Sequence, residues 1–304
     1  MRNRRSTKIY GGVLAALLSA GVGVAALLSA GTATAVPARA SAGAVPSVAK
    51  LVPASMKSKG QITVASDASY APDEFLASDG KTVIGMDADL SKALGAAMGL
   101  KVSIVNVGFD NIIPGMAAGR YQLGASSFTD TKVREKTVDF VDYASVGESF
   151  YTKAHGGTQI KSIANICGLT VSVEKGTVEE QDATKESKVC TKAGKKPVSV
   201  SSFPDQNGAN LAVADGRAQL GFADTPVAAY QVQKSHGTFK LVGKAFATAP
   251  YGIAVAKSTG LTKAVKAAMV HLVNNGTYKR IFAKWGVSSI EIPASQVKIN
   301  GATS

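Results

Sequence analysis

From residue 61 onward, short apolar runs alternate with stretches in which apolar residues recur every three or four positions. The first kind reads as buried strand and the second as amphipathic helix. Residues 62–65 form a short strand before a polar turn, and residues 101–107, β-branched and alternating, form another. Between them, Asp87 is placed to cap a helix whose Leu90, Ala93, Leu94 and Ala97 share one face and which Gly99 ends. Asp110 or Asn111 opens a helix with Ile112, Ile113 and Met116 inward; Pro114 is tolerated in its first turn and Gly119 lies near its close. Residues 123–126 are the next strand.

The same grammar repeats beyond residue 150. A strand over 169–173 precedes a helix from Gly176-Thr177 toward Cys190, and a strand within 197–203 precedes a helix over 210–215 stopped by Gly216. A strand over 219–223 follows, and Thr225 then caps a helix with Pro226 at its first position and Gly237 past its end. Two amphipathic helices finish the pattern, marked by Leu261, Val265, Ala268 and Leu272 and by Tyr278, Ile281, Phe282 and Trp285. Two consecutive β/α sets predict an α/β fold of two lobes with largely parallel sheets. In such sheets ligands sit beyond the carboxyl ends of the strands, so the cleft between the lobes is the natural site.

The first sixty residues follow other rules. Arg2, Arg4, Arg5 and Lys8 form a basic stretch without acids, and residues 11–31 are uninterrupted apolar and small residues. Small-x-small cleavage sites follow at Ala33-Thr34-Ala35, Ala38-Arg39-Ala40 and Ala40-Ser41-Ala42, so residues 1–42 read as a secretory signal. At about twenty residues the run also has the length of an uncleaved anchor, though Gly, Ala and Ser fill much of it. Thr7 and Lys8 after Arg4-Arg5 argue against a twin-arginine signal, and the first cysteine is Cys167, so a lipid-anchored form is not expected. Residues 43–60, rich in Ala, Ser and Pro, read as a linker. The expected location is outside the cytoplasm, periplasmic or extracellular, at the cell surface.

Charge excludes more than it assigns. The formal charge of +13 drops to about +8 without the five basic residues before Ser41. What remains is spread along the chain and mixed with acids, unlike the basic clusters with aromatics of a nucleic-acid binder. Three scattered histidines (His155, His236, His271) give no metal cluster, and no phosphate loop or serine–histidine–acid set is present, so neither metal nor cofactor is expected. Cys167 and Cys190, 23 positions apart in an exported chain, suggest one disulfide.

The segment Ile62-Thr63-Val64-Ala65-Ser66-Asp67-Ala68-Ser69-Tyr70-Ala71-Pro72 resembles the opening strand and turn of the polar amino-acid-binding proteins of ABC transporters, the histidine-, lysine/arginine/ornithine- and glutamine-binding proteins. Further matches follow in order: Gly85-Met86-Asp87-Ala88-Asp89-Leu90, Phe109-Asp110-Asn111-Ile112-Ile113-Pro114-Gly115-Met116, Gly119-Arg120-Tyr121, the run from Ser126 to Lys136, and Val138-Asp139-Phe140. Val173-Glu174-Lys175-Gly176-Thr177, Asp215-Gly216-Arg217, Asp224-Thr225-Pro226, Tyr251-Gly252-Ile253-Ala254 and Gly276-Thr277-Tyr278 complete the series. Each is weak alone; together, in order, they span about 61 to 286 of the chain.

The resemblance implies a type II periplasmic-binding-protein-like fold with two hinge strands, near Phe150 and Tyr251. Lobe one would comprise 61–149 and 251–293, lobe two 150–250, and residues 294–304 a tail. It implies that Arg134 holds a ligand α-carboxylate, assisted by Ser127 and Thr129, since a guanidinium matches a carboxylate with two parallel charged hydrogen bonds. Asp224 would accept the α-ammonium, Tyr70 and Phe109 would sandwich the side chain, and Asp67 would reach its end. Gly176 and Thr177 would offer backbone N–H groups at a helix start. Each has an ordinary alternative: surface arginine, turn or cap chemistry, core aromatic, solvated acid.

Asp73 departs from the aromatic common in relatives. With Asp67 and Glu174 it favours a ligand with a basic or neutral polar side chain, unless Lys175 intervenes. The implied function is delivery of a free amino acid to a membrane permease by a monomer that is not an enzyme. The competing functions are a cyclohexadienyl (prephenate or arogenate) dehydratase on the same fold, which would need a general acid such as Glu174, and an amino-acid sensor without a transporter.

Overall fold

The structure, a computed structural model, describes residues 43–303; the export signal expected over residues 1–42 lies outside them. Two short helices come first, α1 (Pro46–Ala49) and α2 (Ala54–Lys59), the second closed by Gly60 in the left-handed conformation. Residues 43–60 are therefore not the linker their composition suggests. Val48, Val52 and Met56 are buried in one cluster with Leu94, Leu100 and Leu261. One comes from α1, one from the turn between the helices and one from α2, an apolar repeat that the surrounding Ala, Ser and Pro obscure.

Strand β1 (Gln61–Ser66) leads into a small antiparallel sheet of β2 (Ser69–Tyr70), β3 (Glu74–Leu76) and β4 (Val83–Ile84). Helix α3 (Met86–Met98), strand β5 (Lys101–Asn106), helix α4 (Ile112–Ala117) and strand β6 (Leu123–Gly124) complete the first β/α set. β1 pairs in parallel with β5 and β6. Gly85, not Asp87, precedes α3; Asp87 lies in its first turn with the side chain turned inward and fully buried. Gly85 has φ +127°, and a Cβ there would lie 2.2 Å from the Asp73 carbonyl oxygen. Only glycine lets the start of α3 approach the turn after β2 this closely.

The second set opens with the long strand β7 (Val138–Lys153) and continues through β8 (Thr170–Glu174), α5 (Val178–Lys192), β9 (Ser199–Phe203), α6 (Gln206–Asp215), β10 (Leu220–Asp224) and α7 (Thr225–Lys234). Helix α6 starts four residues earlier than its apolar pattern implies, because Asp205 caps it by accepting the Gly208 N–H. Asp224, not Thr225, occupies the cap position of α7. The second long strand β11 (Phe239–Ala256) returns, and α8 (Thr262–Asn274) and α9 (Thr277–Trp285) end the regular structure.

One eight-stranded sheet runs through the molecule in the order β5-β1-β6-β11-β7-β10-β8-β9. β8 pairs in parallel with β9 and β10, whereas the two long strands are antiparallel to each other and link the halves. Their pairing slips three times, between Val242 and Phe246, Phe246 and Ala249, and Tyr251 and Gly252. Ala247 adopts φ +50° within this stretch. Such a broken ladder is where a two-stranded connection bends most easily.

The halves carry separate cores. Ile62, Leu90, Val255 and Phe282 belong to one cluster, and Phe150, Val171, Leu220 and Phe222 to another. The second core is stapled by the Cys167–Cys190 disulfide, with Cα atoms 5.6 Å apart. Residues 294–303 are not a loose tail. Val297 is buried, Ile299 bridges Val141, the Asp142 N–H donates to Lys298 O, and the Phe140 N–H donates to Asn300 Oδ1 at 2.7 Å. Residues 138–144 of β7 pair with β11 on one side only, and the C-terminal segment covers the open edge.

Candidate functional site

Between the halves lies a narrow cavity, nearly closed by its own lining, whose empty space, counting what is open to solvent, is about 270 Å³. Asp67, Tyr70, Glu74, Phe109, Ser126, Ser127, Thr129 and Arg134 line one side, and Glu174, Thr177, Val178, Glu179 and Asp224 line the other. Eight of the nine ligand residues inferred from the sequence reach it; Gly176 stands just behind the wall.

Arg134 follows the turn after β6 and crosses the cleft. Its guanidinium donates to the Thr129 carbonyl at 2.8 Å and to the Gly176 carbonyl at 3.0 Å, one partner in each half. It lies 5.3 Å from the ring centres of both Phe109 and Phe128, which stack on each other at 4.5 Å. Burial lowers its pKa to about 10, against the pull of Glu179 and Asp224, so it stays charged at neutral pH.

Asp224, at the end of β10, meets Tyr70 from the opposite half. The Tyr70 hydroxyl donates to Asp224 Oδ2 at 3.0 Å and accepts the Asp224 N–H at 3.0 Å. Burial raises the Asp224 carboxyl to about 6, opposed by Tyr251, Tyr70 and Arg134. Asp67 sits where β1 ends. Its carboxylate accepts the Ser69 N–H at 3.1 Å and the Phe109 N–H at 2.9 Å, and burial raises its pKa. Tyr70 and Phe109 are both buried at the cavity wall, which gives it two aromatic surfaces.

Several expectations are corrected in detail. The Gly176 N–H is already given to Glu180 Oε2 at 2.7 Å, and it is the Gly176 carbonyl that faces Arg134. Thr177 spends its hydroxyl on capping α5: it accepts the Glu180 N–H and donates to the Glu174 carbonyl. The Ser127 hydroxyl contacts Asp73 Oδ2 at 2.9 Å, so Asp73 stands behind the wall and does not form a cavity rim. Lys175 pairs with Asp110 at 2.8 Å on the exposed side of the closure and leaves the cavity acids unneutralised.

Glu74 and Glu179 were missed. Glu74 pairs with Tyr70 across the β2–β3 ladder, so it shares the face of an aromatic already assigned to the site; that alternation was a usable signal. Glu179 lies in the first turn of α5, where an acid commonly complements the helix dipole, and nothing in its sequence position distinguishes it. With Asp67, Glu174 and Asp224 they make five carboxyl groups around one guanidinium. Burial raises Glu74, Glu174 and Glu179 well above the usual carboxyl range, reinforced by their acidic neighbours. A cavity lined by acids that hold their protons for want of a cation suits a ligand that brings one.

Two α/β halves joined by two long strands and closing on a polar cavity define a ligand-binding protein of the type II periplasmic class. The chain belongs to the bacterial extracellular solute-binding proteins, family 3, whose model matches residues 62–288. The arginine-binding protein ArgT of Corynebacterium glutamicum is 36% identical over 244 residues, 80% of each chain. A solved structure of an ancestral arginine-binding protein bound to arginine superposes with TM-score 0.68 at 33% identity, covering 74% of this chain and 98% of that one. The ancestral amino acid-binding protein AncCDT-1, a precursor of cyclohexadienyl dehydratase, does so with TM-score 0.68 at 30% identity, covering 76% and 97%. Among the described residues no helix is long and apolar enough to cross a membrane.

Proposed function

We propose that this chain captures a free L-amino acid with a cationic side chain, L-arginine foremost, and presents it to the permease of an ABC importer. The observation that carries the reading is the cavity's five carboxyl groups against one guanidinium. Arg134, with Thr129 and Ser127, is suited to the α-carboxylate; Asp224, with Glu179 near it, to the α-ammonium. Tyr70 and Phe109 would flank the methylene chain, and Asp67, Glu74 and Glu174 would surround the cationic end. The arginine-binding relatives support the same ligand.

Binding would proceed as a shift from open to closed forms, with ligand contacting both halves only when they meet. The lobe division, about 61–149 with 251–293 against 150–250, is supported by the separate cores and by the slipped pairing near residues 242–252. The helices at 43–60 and the C-terminal segment would move with lobe one, onto which they pack. Arg134–Gly176, Tyr70–Asp224, Ser69–Gln206 and Asp110–Lys175 are the contacts that closure makes.

The dehydratase reading draws on one feature, the buried Glu174, whose raised pKa would keep it protonated as a general acid. The same cavity is hostile to a dianionic substrate, which would face four further acids. A thermal-shift screen of the free amino acids, with prephenate beside them, tests the choice. Ligand at 100 times its Kd stabilises by about 2.7 kcal/mol. Arginine raising the melting temperature, with the effect lost in Arg134→Ala, fits the proposal; a shift or turnover with prephenate alone would replace it.

A further inference from the structure

Behind the cavity wall, Asp73, Glu74 and Asp87 are all fully buried, each with 0% of its surface exposed. They converge on two serines. The Ser127 hydroxyl lies 2.9 Å from Asp73 Oδ2 and 3.3 Å from Glu74 Oε2, and the Ser127 N–H donates to Asp87 Oδ2 at 2.8 Å. The Ser126 hydroxyl accepts the Asp67 N–H and donates to Glu74 Oε1 at 3.0 Å. Ser127 is held at φ +49°, a conformation that non-glycine residues seldom adopt, by these contacts.

The proton count is constrained by this arrangement. A hydroxyl carries one hydrogen, yet Ser127 Oγ stands within bonding distance of two carboxyl groups. It donates to one; the other contact is a hydrogen bond only if that carboxyl group is itself protonated. The groups facing the cluster from neighbouring elements are Asp67 after β1, Tyr143 on β7, Asp224 on β10 and Tyr251 on β11, none of them cationic. Arg134 is committed to two carbonyls across the cavity. The Tyr143 hydroxyl, fully buried, faces Asp87 and is the donor that helps that one carboxyl group ionise, whereas Asp73 Oδ1 has no hydrogen-bond partner. Three ionised carboxylates here would be uncompensated.

Resting on the arginine reading above, we propose that Asp73 and Glu74 share a proton which the ligand's cationic end displaces to solvent. Glu74 meets the ligand, and Asp73, which does not line the cavity, acts through Ser127 and Glu74 as a positioning residue for that proton. Burial, and after it the charge of Asp87, raise both carboxyl groups well above their usual range, in keeping with a retained proton at neutral pH, while Asp87 itself is raised by burial only to about 6. Arginine and its neutral isostere L-citrulline share the same α-carboxylate and α-ammonium contacts, so they differ only at this end. The site would take citrulline with the proton in place and arginine without it. Selectivity for arginine then rises with pH, by up to about tenfold per unit where the exchange is complete.

The test is calorimetric titration in two buffers of different ionisation enthalpy at neutral pH, which reads protons released on binding. Arginine should release about one proton more than citrulline, and the difference should vanish in Asp73→Asn, where Glu74 no longer shares a proton. The wild-type arginine-to-citrulline affinity ratio, followed from pH 6 to 8, gives a second reading that needs no variant. Equal proton release for the two ligands, a pH-independent ratio, or an undiminished difference in a folded Asp73→Asn protein would overturn the proposal. Binding of arginine with none of these effects leaves the preceding functional reading standing; failure of arginine to bind overturns both.

Discussion

Replacing Asp224 by asparagine should make the free protein more stable and the complex weaker, two effects of opposite sign from one atom change. In the closed form without ligand Asp224 is buried, with Glu179 near it, and its pKa moves from 3.8 to about 6, so the effect on the free protein scales with how far it populates that form. Each pH unit of such a shift is worth about 1.4 kcal/mol, so the ionised carboxylate costs the fold about 3 kcal/mol above pH 6. A raised folded-state pKa means that stability is fully present below pH 3.8 and is lost as pH rises through 6. The amide keeps the volume and can still accept from Tyr70. Asp224→Asn should therefore gain up to about 3 kcal/mol at pH 8, a rise of roughly 5–10 °C for a chain of this size. The gain should shrink toward zero near pH 4. In the complex, removing one partner of a buried charge pair costs about 3–5 kcal/mol, or roughly 100- to 5,000-fold in Kd. Thermal melts across pH and calorimetric titration with L-arginine read the two effects. A variant that melts lower than wild type at pH 8 and binds arginine within threefold would refute the placement of Asp224 opposite the α-ammonium.

Three further expectations follow from the same geometry. Arg134→Met keeps the packing against Phe109 and Phe128 but removes two charged hydrogen bonds to the ligand, each worth about 1.5–3 kcal/mol; arginine affinity should fall at least 100-fold by titration. Reducing the Cys167–Cys190 bond, which closes 23 positions inside the second core, should lower stability by about 3 kcal/mol, with arginine Kd changed less than about twofold, because neither sulfur lines the cavity. Burial raises Asp142 to about 8, with neighbouring Asp130 adding to it, and Glu148 to about 9, with Asp182 and Asp224 adding to it. The sign is that of raised carboxyl groups: their contribution is fully present below the ordinary values of 3.8 and 4.5 and is lost as pH climbs from there through 8 and 9, with no further loss beyond; Asp142→Asn should flatten part of that decline in a pH series of melts.

Most of the alternating strands and helices were legible because their burial is one-sided or complete, and periodicity reports burial. The signals failed where one residue does two things. Asp87 has the sequence position of a cap, yet it is a buried acceptor for Ser127, because Gly85 lets α3 begin two residues earlier. Thr225 has cap chemistry, yet Asp224 holds that position and is taken up with Tyr70. The apolar repeat Val48–Val52–Met56 was hidden in linker-like composition, and the covering of β7 by residues 297–302 depends on a strand edge that local sequence does not display. Within the site, the family resemblance placed Arg134, Asp224, Tyr70 and Phe109 at one cavity. Glu179 escaped because an acid in a helix's first turn is ordinary. Asp73 was counted with Asp67 and Glu174 among the acids that meet the ligand, although it is buried at 0% exposure behind Ser127. Asp73 lies in the turn between β2 and β3, and the direction its side chain takes there is a matter of tertiary packing of which composition carries no trace.

The central claim is that the acidic cavity selects a cation. The most direct measurement is the pair of dissociation constants for L-arginine and L-glutamate on the wild-type protein at neutral pH. Glutamate would bring a carboxylate among Asp67, Glu74 and Glu174, where it finds no cationic partner and keeps those acids from ionising, whereas arginine supplies the cation they lack. The account predicts arginine tighter by at least about 100-fold, the factor that 2.7 kcal/mol produces. Glutamate binding as tightly as arginine, or tighter, would contradict it.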